Sequence, residues 1–248
     1  MSQEPGTMMQ NYVMEKMEKK QSSVQDEEEK KENPVNILND TWTMWYRPRG
    51  RNVQYQNDDY TSVQHNLGSF NTIEDFFSIY CYLKRPSEIE MDHKICCFRK
   101  NARPAWEDYP NGGSWILMFK KKDHTSLNYC WENLLLSLIG EQFNDYNVIG
   151  ILISLRSKKN LIEIWIKDSE KSKKEKVCNR LCELLGLETN NINLYFKNHA
   201  SSLAEASTLK NAENYEVKMT PYGETPMIPE REKVFDHKEI KELDEFEL

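Results

Sequence analysis

The segment RPAWEDYPNGGSW, residues 103–115, decides how the rest of the chain can be interpreted. Asn111-Gly112-Gly113 is a turn signal, since glycine supplies positive φ at little cost, and the apolar run from Ser114 to Phe119 predicts a buried strand. Trp106 and Glu107 therefore lie on a loop. An aromatic face beside a carboxylate suits a flat, cationic ring that carries N–H donors at its edge. The alternative is a Trp packed back onto the sheet with Glu107 in water, and this segment alone leaves both interpretations open.

Charge divides the 248-residue chain into a central part and two acidic ends. The net charge of −7 splits into −3 for residues 1–35, +2 for residues 36–200 and −6 for residues 201–248. We predict a disordered acidic tail over 1–35, one folded domain over 36–204 and a mostly disordered acidic tail over 205–248. The sequence contains neither a long apolar run nor a signal peptide, so we expect a soluble, cytoplasmic protein, with the nucleus as an additional compartment.

Hydrophobic periodicity predicts an α+β domain in the central part of the chain. Helical spacing predicts three helices, at residues 71–85, 127–139 and 173–185. Apolar or alternating runs predict strands at residues 41–46, 60–66, 94–98, 114–119, 148–155, 161–166 and 193–196. This order favours one curved antiparallel sheet with the three helices on its convex face, which leaves the concave face for a ligand.

The cysteines and histidines show no spacing typical of a metal or redox site. Cys96 and Cys97 are adjacent, Cys178 and Cys182 lie one helical turn apart, and no CxxC pair or paired histidine accompanies them. We therefore expect buried free thiols, no metal and no cofactor.

The turn Arg156-Ser157-Lys158-Lys159-Asn160, between two of the predicted strands, is strongly cationic. Arginine and lysine at a strand end point in the same direction, so they can clamp a phosphate. A basic turn that is simply solvated is the alternative, and the pattern alone does not choose between the two.

In order and spacing, several segments resemble the mRNA cap-binding family of eukaryotic translation initiation factor 4E. The resemblance spans about residues 37–201, and it rests on TWTMWY (41–46), Tyr60, TIEDFFSIY (72–80), RPAWED (103–108), GGSW (112–115), CWENLLLSLIGEQF (130–143), ISLRSKKNLIEIW (153–165) and YFKNHA (195–200). It implies a single curved antiparallel sheet of about eight strands backed by three helices. Tyr60 stands where the general factor has a Trp, and CWENLLLSLIGEQF (130–143) together with WYRPRGR (45–51) resembles the branch called the 4E homologous protein.

For the cap base, the resemblance implies four contacts. Tyr60 and Trp106 would stack on the two faces of 7-methylguanine, Glu107 would accept hydrogen bonds from its N1–H and N2 amino group, and Trp165 would touch the N7 methyl group. Methylation at N7 makes the base cationic, which favours stacking between two electron-rich rings. The interpretation of Trp106 as a ligand residue is then the better one.

For the cap phosphates, the resemblance implies Arg156, with Lys158 or Lys159 beside it, so binding should be sensitive to salt. Two positions depart from the family pattern. Leu161 stands where many members have a lysine, and Ser114 stands where they have a basic residue. We therefore expect a less cationic site and weaker cap binding than in the general initiation factor.

On the convex face, the resemblance implies a docking surface for a partner helix that carries a Tyr-x4-Leu-apolar motif. The matching positions are Leu38, Ile73, Phe77, Glu132 and Leu136. Phe77 replaces the usual Trp of the family and so lacks its N–H donor. The partner would be a scaffold or a repressor protein.

The resulting hypothesis is a non-catalytic protein that binds capped mRNA and acts in translation initiation through a scaffold. The alternative is a translational repressor that occupies the cap without recruiting the scaffold. An enzyme acting on capped RNA would need clustered carboxylates for a metal, or a nucleophile paired with a base. Glu107 and Asp108 stand alone, so we do not expect an enzyme. Neither do we expect a peptide-binding module that has lost cap binding, because the cap residues are intact.

Overall fold

The structure, a computed structural model, describes residues 35–48, 64–186, 193–216 and 228–229. Tyr60, the proposed second stacking residue, lies outside these residues, as do the acidic segment up to residue 34 and most of the acidic C-terminal segment. No helix in the described ranges is long and apolar enough to span a membrane.

The described residues form one antiparallel sheet of nine strands in the order β2-β1-β3-β5-β6-β4-β7-β8-β9. The strands are β1 (Ile37–Pro48), β2 (His65–Thr72), β3 (His93–Arg99), β4 (Gly113–Lys120), β5 (Val148–Leu155), β6 (Lys159–Ile166), β7 (Asn193–Asn198), β8 (Glu213–Glu216) and β9 (Ile228–Pro229). The sheet thus continues beyond residue 204, where we predicted the folded domain to end.

The same ranges contain four α-helices: α1 (Ile73–Tyr80), α2 (His124–Ile139), α3 (Lys171–Leu185) and α4 (His199–Glu205). The predicted fold class is confirmed, with one helix more than expected. Single 3₁₀ turns lie at Pro86–Glu88 and Trp106–Asp108. The prediction that α1 extends to residue 85 was wrong, because after Tyr80 the backbone tightens into bonds such as Leu83 N–H to the Tyr80 carbonyl.

Helices α1, α2 and α3 cover one face of the sheet, here called the helical face. Its cluster joins alternate strand residues such as Trp42, Trp115 and Ile164 to helix residues such as Phe76 and Leu134. Because side chains alternate along a strand, the intervening residues point to the opposite face, here called the open face. The helical face therefore contains most of the hydrophobic core.

The open face carries two smaller clusters. One is centred on Phe98, Leu152 and Trp165, with Trp106 packed against it. The other contains Leu161 and Leu209 together with neighbouring residues of β4 and β7. Since no α-helix as long as α1 to α3 covers these clusters in the described ranges, the open face is where a ligand can reach the sheet.

Gly112 and Gly113 are glycines for a reason that we did not predict. Neither has a positive φ; among the described glycines only Gly68 and Gly186 do. A Cβ on Gly112 would instead lie 2.3 Å from the Ile166 carbonyl oxygen, and one on Gly113 would lie 2.4 Å from Phe196. Close packing of β4 against its neighbours, not turn geometry, excludes a side chain at both positions.

Candidate functional site

Trp106, Glu107 and Asp108 form a short 3₁₀ turn before β4, at one end of the open face. Trp106 is half-buried against the cluster that contains Trp165, whereas Glu107 is exposed. Arg103 holds the turn with two parallel hydrogen bonds to the Asp108 carboxylate, at 2.8 and 2.7 Å. The structure therefore brings Trp106 and Trp165 together and leaves the Glu107 carboxylate free to accept hydrogen bonds from a ligand.

Trp165 lies on β6 and is fixed from three directions. Its Nε1–H donates to Glu163 Oε2 at 3.1 Å. Its ring meets Phe98 edge-on, with centroids 5.4 Å apart, and lies 4.3 Å from the His199 ring. With 3% of its surface exposed, Trp165 forms the floor of the site.

His199, to which we assigned no role from the sequence, connects the Trp106 turn to the sheet. Its Nδ1 lies 3.1 Å from the Tyr109 carbonyl oxygen, and its Nε2 lies 3.0 Å from Ser114 Oγ. Because a carbonyl oxygen can only accept, Nδ1 carries the proton and Nε2 accepts from the Ser114 hydroxyl. Burial lowers the pKa of His199 to about 4, so the ring is neutral at pH 7.

Glu163 is a second residue whose importance we did not predict. It is 2% exposed and lies on the open face of β6, two residues before Trp165. Its only sequence signal was an acid inside the apolar run LIEIWI. By accepting the Trp165 Nε1–H, Glu163 fixes the orientation of the indole ring beneath the site.

The cationic turn lies at the other end of β6. Lys159 and Trp165 are six residues apart on this strand, so about 20 Å separates the two ends of the site. Arg156 Nη2 donates to Thr208 Oγ1 at 3.3 Å, which holds the guanidinium over the open face. Lys158 is exposed and Lys159 is half-buried. An elongated ligand with a flat head and an anionic tail fits this arrangement.

At both positions that depart from the family pattern, the side chain is buried and already has a partner in the protein. Ser114 is buried and bonded to His199, and Leu161 is fully buried in the open-face cluster with Leu209. Neither position can supply a positive charge. Arg156 and the lysines next to it are therefore the cations of this end of the site.

The helical face presents an exposed apolar surface formed by α1 and α2. Ile73, Phe77 and Leu136 are 41%, 43% and 40% exposed, whereas Leu38 is half-buried against the core. Glu132 is exposed and lies against Tyr80. Burial, followed by the charge and hydrogen bond of Glu132, raises the pKa of Tyr80 to about 12. A carboxylate therefore lies at the border of this apolar surface.

A family model described as "Eukaryotic initiation factor 4E" matches residues 37–214, which include every element from β1 to α4. The chain belongs to the eukaryotic initiation factor 4E family. The sequence is 34% identical over 178 residues to eukaryotic translation initiation factor 4E1 of Drosophila melanogaster, covering 70% of this chain and 67% of the relative. Members of the initiation factor 4E family are cap-binding initiation factors and not enzymes.

Solved structures agree with this family. Ascaris suum eIF4E-3, solved with an m2,2,7G cap, is similar with a TM-score of 0.61 and 26% identity, covering 67% of this chain and 92% of that one. C. elegans eIF4E-3, solved with the 4E-binding protein Mextli and a cap analog, gives a TM-score of 0.61 at 24% identity, covering 69% and 96%. The second similarity shows the initiation factor 4E fold alone.

Proposed function

We propose that this protein binds the 7-methylguanosine cap of mRNA on its open face and acts in translation initiation through a partner on its helical face. The observation that carries the proposal is the pairing of Trp106 and Glu107 over the Trp165 floor. One aromatic face, one exposed carboxylate and one indole edge are complementary to a cationic purine with N–H donors. Membership of the initiation factor 4E family supports the same ligand.

In the proposed complex, the base stacks on Trp106 while Glu107 accepts from the guanine N1–H and N2 amino group. Trp165 touches the N7 methyl group, and Tyr60 supplies the second stacking face. Arg156, with Lys158 and Lys159, binds the phosphates at the other end of β6. Glu163 holds the Trp165 indole in place for this contact by accepting its Nε1–H.

Calorimetric titration with 7-methyl-GTP and with GTP tests this proposal. Calorimetry is preferable to Trp fluorescence because Trp106 would itself contribute to the fluorescence signal, and Trp106→Ala removes that contribution. We expect Trp106→Ala to weaken 7-methyl-GTP binding by about 1–3 kcal/mol through the lost stacking, and Glu107→Gln by about 1.5–3 kcal/mol through the lost charge-assisted bonds.

The control variant is Glu175→Gln, which removes an acid on α3, on the helical face, and should leave the affinity unchanged. Equal affinity of the wild-type protein for 7-methyl-GTP and GTP would refute the proposal. So would an undiminished affinity in both site variants.

A repressor is the second candidate function, and the helical face favours considering it. Phe77 lacks the N–H donor of the family Trp, so the partner can differ from the general initiation scaffold. An extract depleted of its own cap-binding factor distinguishes the two functions. An initiation factor restores cap-dependent translation when it is added to the depleted extract. A repressor lowers cap-dependent translation when it is added to an undepleted extract.

A further inference from the structure

A cluster of cations extends beyond the proposed phosphate site. Lys120, Lys121 and Lys122 lie at the end of β4, and Lys120 is the direct antiparallel partner of Lys159 at the start of β6. Lys121 Nζ donates to the Arg156 carbonyl oxygen at 2.9 Å, which joins the two turns. We call this cluster the cationic rim; its members are Lys120, Lys121, Lys122, Arg156, Lys158 and Lys159.

The rim is costly to the fold, which argues for a ligand. Like charges directly opposite each other on neighbouring strands destabilise a sheet, and Lys120 faces Lys159 in this way. Two acids lie nearby: the Asp123 carboxylate caps α2 by accepting from Ser126 N–H at 3.1 Å, and burial lowers the pKa of Lys121 while the charge of Asp92 opposes that shift. The six cations outnumber these two acids, so the rim is positive in a protein whose net charge is −7.

The rim also lies on the open face of the sheet, the same face as the proposed cap site. Lys120, Arg156 and Lys159 fall on the open-face positions of their strands, because residues such as Phe119, Leu155 and Ile162 between them pack in the helical-face core. A capped RNA with its base on Trp106 and its phosphates on Arg156 can leave the sheet across this edge.

We infer that the cationic rim binds the first phosphates of the RNA chain that follows the cap. This inference rests on the proposed cap binding. It assigns to Lys120 and Lys122 a backbone contact that carries no base specificity. Contacts further along the RNA also replace the electrostatic attraction to the cap phosphates that is lost because Ser114 and Leu161 are not cationic.

The experiment compares three probes: 7-methyl-GTP, a capped unstructured ten-nucleotide RNA, and the same RNA without a cap. We expect the wild-type protein to bind the capped RNA more tightly than 7-methyl-GTP, with a steeper dependence on salt. In Lys120→Ala/Lys122→Ala, this advantage should shrink by roughly five- to tenfold at low salt, because two phosphate contacts are lost. The slope of log K against log salt should become less negative by about 1.4.

The matched control is Lys84→Ala/Lys171→Ala, which removes the same charge from the segment after α1 and from the start of α3, away from the rim. Lys121 is kept in all variants because it holds the Arg156 turn. Unchanged 7-methyl-GTP affinity in both double variants, with a loss for capped RNA only in the rim variant, supports the inference. Equal effects of the two double variants, or no advantage of capped RNA in the wild type, would overturn it. Failure of 7-methyl-GTP itself to bind would refute the cap proposal instead.

Discussion

At the scale of single residues, His199 connects parts of the chain that are far apart in sequence. It bonds to Tyr109 and Ser114, 90 and 85 residues away, and its ring lies against Trp165. It touches no proposed cap atom, so it acts as a positioning residue for the Trp106 turn. Protonation would require Nε2 to donate, and the Ser114 hydroxyl could then no longer donate to it.

The pH dependence of stability tests the neutral state of His199. Its pKa is about 4 in the folded protein and about 6.5 when unfolded, so the unfolded state binds the extra proton between these values. Stability should therefore fall as the pH falls from 6.5 to 4, by up to about 3 kcal/mol from this residue. Urea unfolding at several pH values should show a smaller decrease in His199→Asn than in the wild type. Identical pH dependence in both proteins would contradict the assignment.

Arg99 shows why a single side chain can matter for the stability of the sheet. It donates to Glu141 at 2.8 and 2.9 Å, pairs with Asp40, bonds to the Val148 carbonyl oxygen at 3.2 Å, and lies over the Trp42 ring. Glu141 lies just after the end of α2 and has a positive φ of 53°, the left-handed conformation that commonly ends a helix.

We expect Arg99→Leu to destabilise the protein by about 3–5 kcal/mol, because Asp40 and Glu141 would keep their charges without a partner. The measurement is the urea midpoint, with Arg103→Leu as the control. Arg103 is a largely exposed ion-pair partner, and its removal should cost about 1 kcal/mol or less. A small effect of Arg99→Leu would mean that water solvates both carboxylates.

At the scale of elements, helices α1 and α2 form the proposed docking surface. Leu136→Asp places a charge in the apolar part of that surface and should weaken binding of a Tyr-x4-Leu-apolar helical peptide by more than about tenfold, since the buried charge would be unpaired. Affinity for 7-methyl-GTP should not change. Met91→Asp, at an apolar position before β3 that is 53% exposed against 40% for Leu136, is the control. Fluorescence anisotropy of a labelled peptide measures the difference, and equal effects of the two substitutions would exclude this surface.

The elements differ in how far the sequence predicts them. Strands β4 and β6 have strong apolar runs between clear turns. The sequence predicts both strands, and the loop that begins at Arg103, to within a few residues. Helix α4 has only seven residues and little periodicity, so it was missed. The roles of His199 and Glu163 depend on partners brought together by the sheet order, which local patterns do not contain.

At the scale of the whole molecule, the charge distribution separates a cationic rim from acidic ends. Residues 1–34 carry a net charge of −3. If these acids repel RNA, their deletion should raise the affinity for uncapped RNA at low salt and leave 7-methyl-GTP binding unchanged. Replacing the acids of this segment with glutamine and asparagine, at constant length, is the control that distinguishes charge from chain length. No change in either variant would remove the N-terminal acids from the electrostatics of RNA binding.

Strand β6 lies in the interior of the sheet, paired with β4 and β5, and it serves both faces. Trp165 and Glu163 point to the site, while Ile162, Ile164 and Ile166 belong to the core. A slip of one residue in this pairing would move the isoleucines to the ligand side and the carboxylate into the core. Such a molecule would lose its fold and its binding site together. For this protein, retention on a cap resin would therefore report correct strand pairing. A mispaired form would be susceptible to proteolysis and would not compete for capped mRNA.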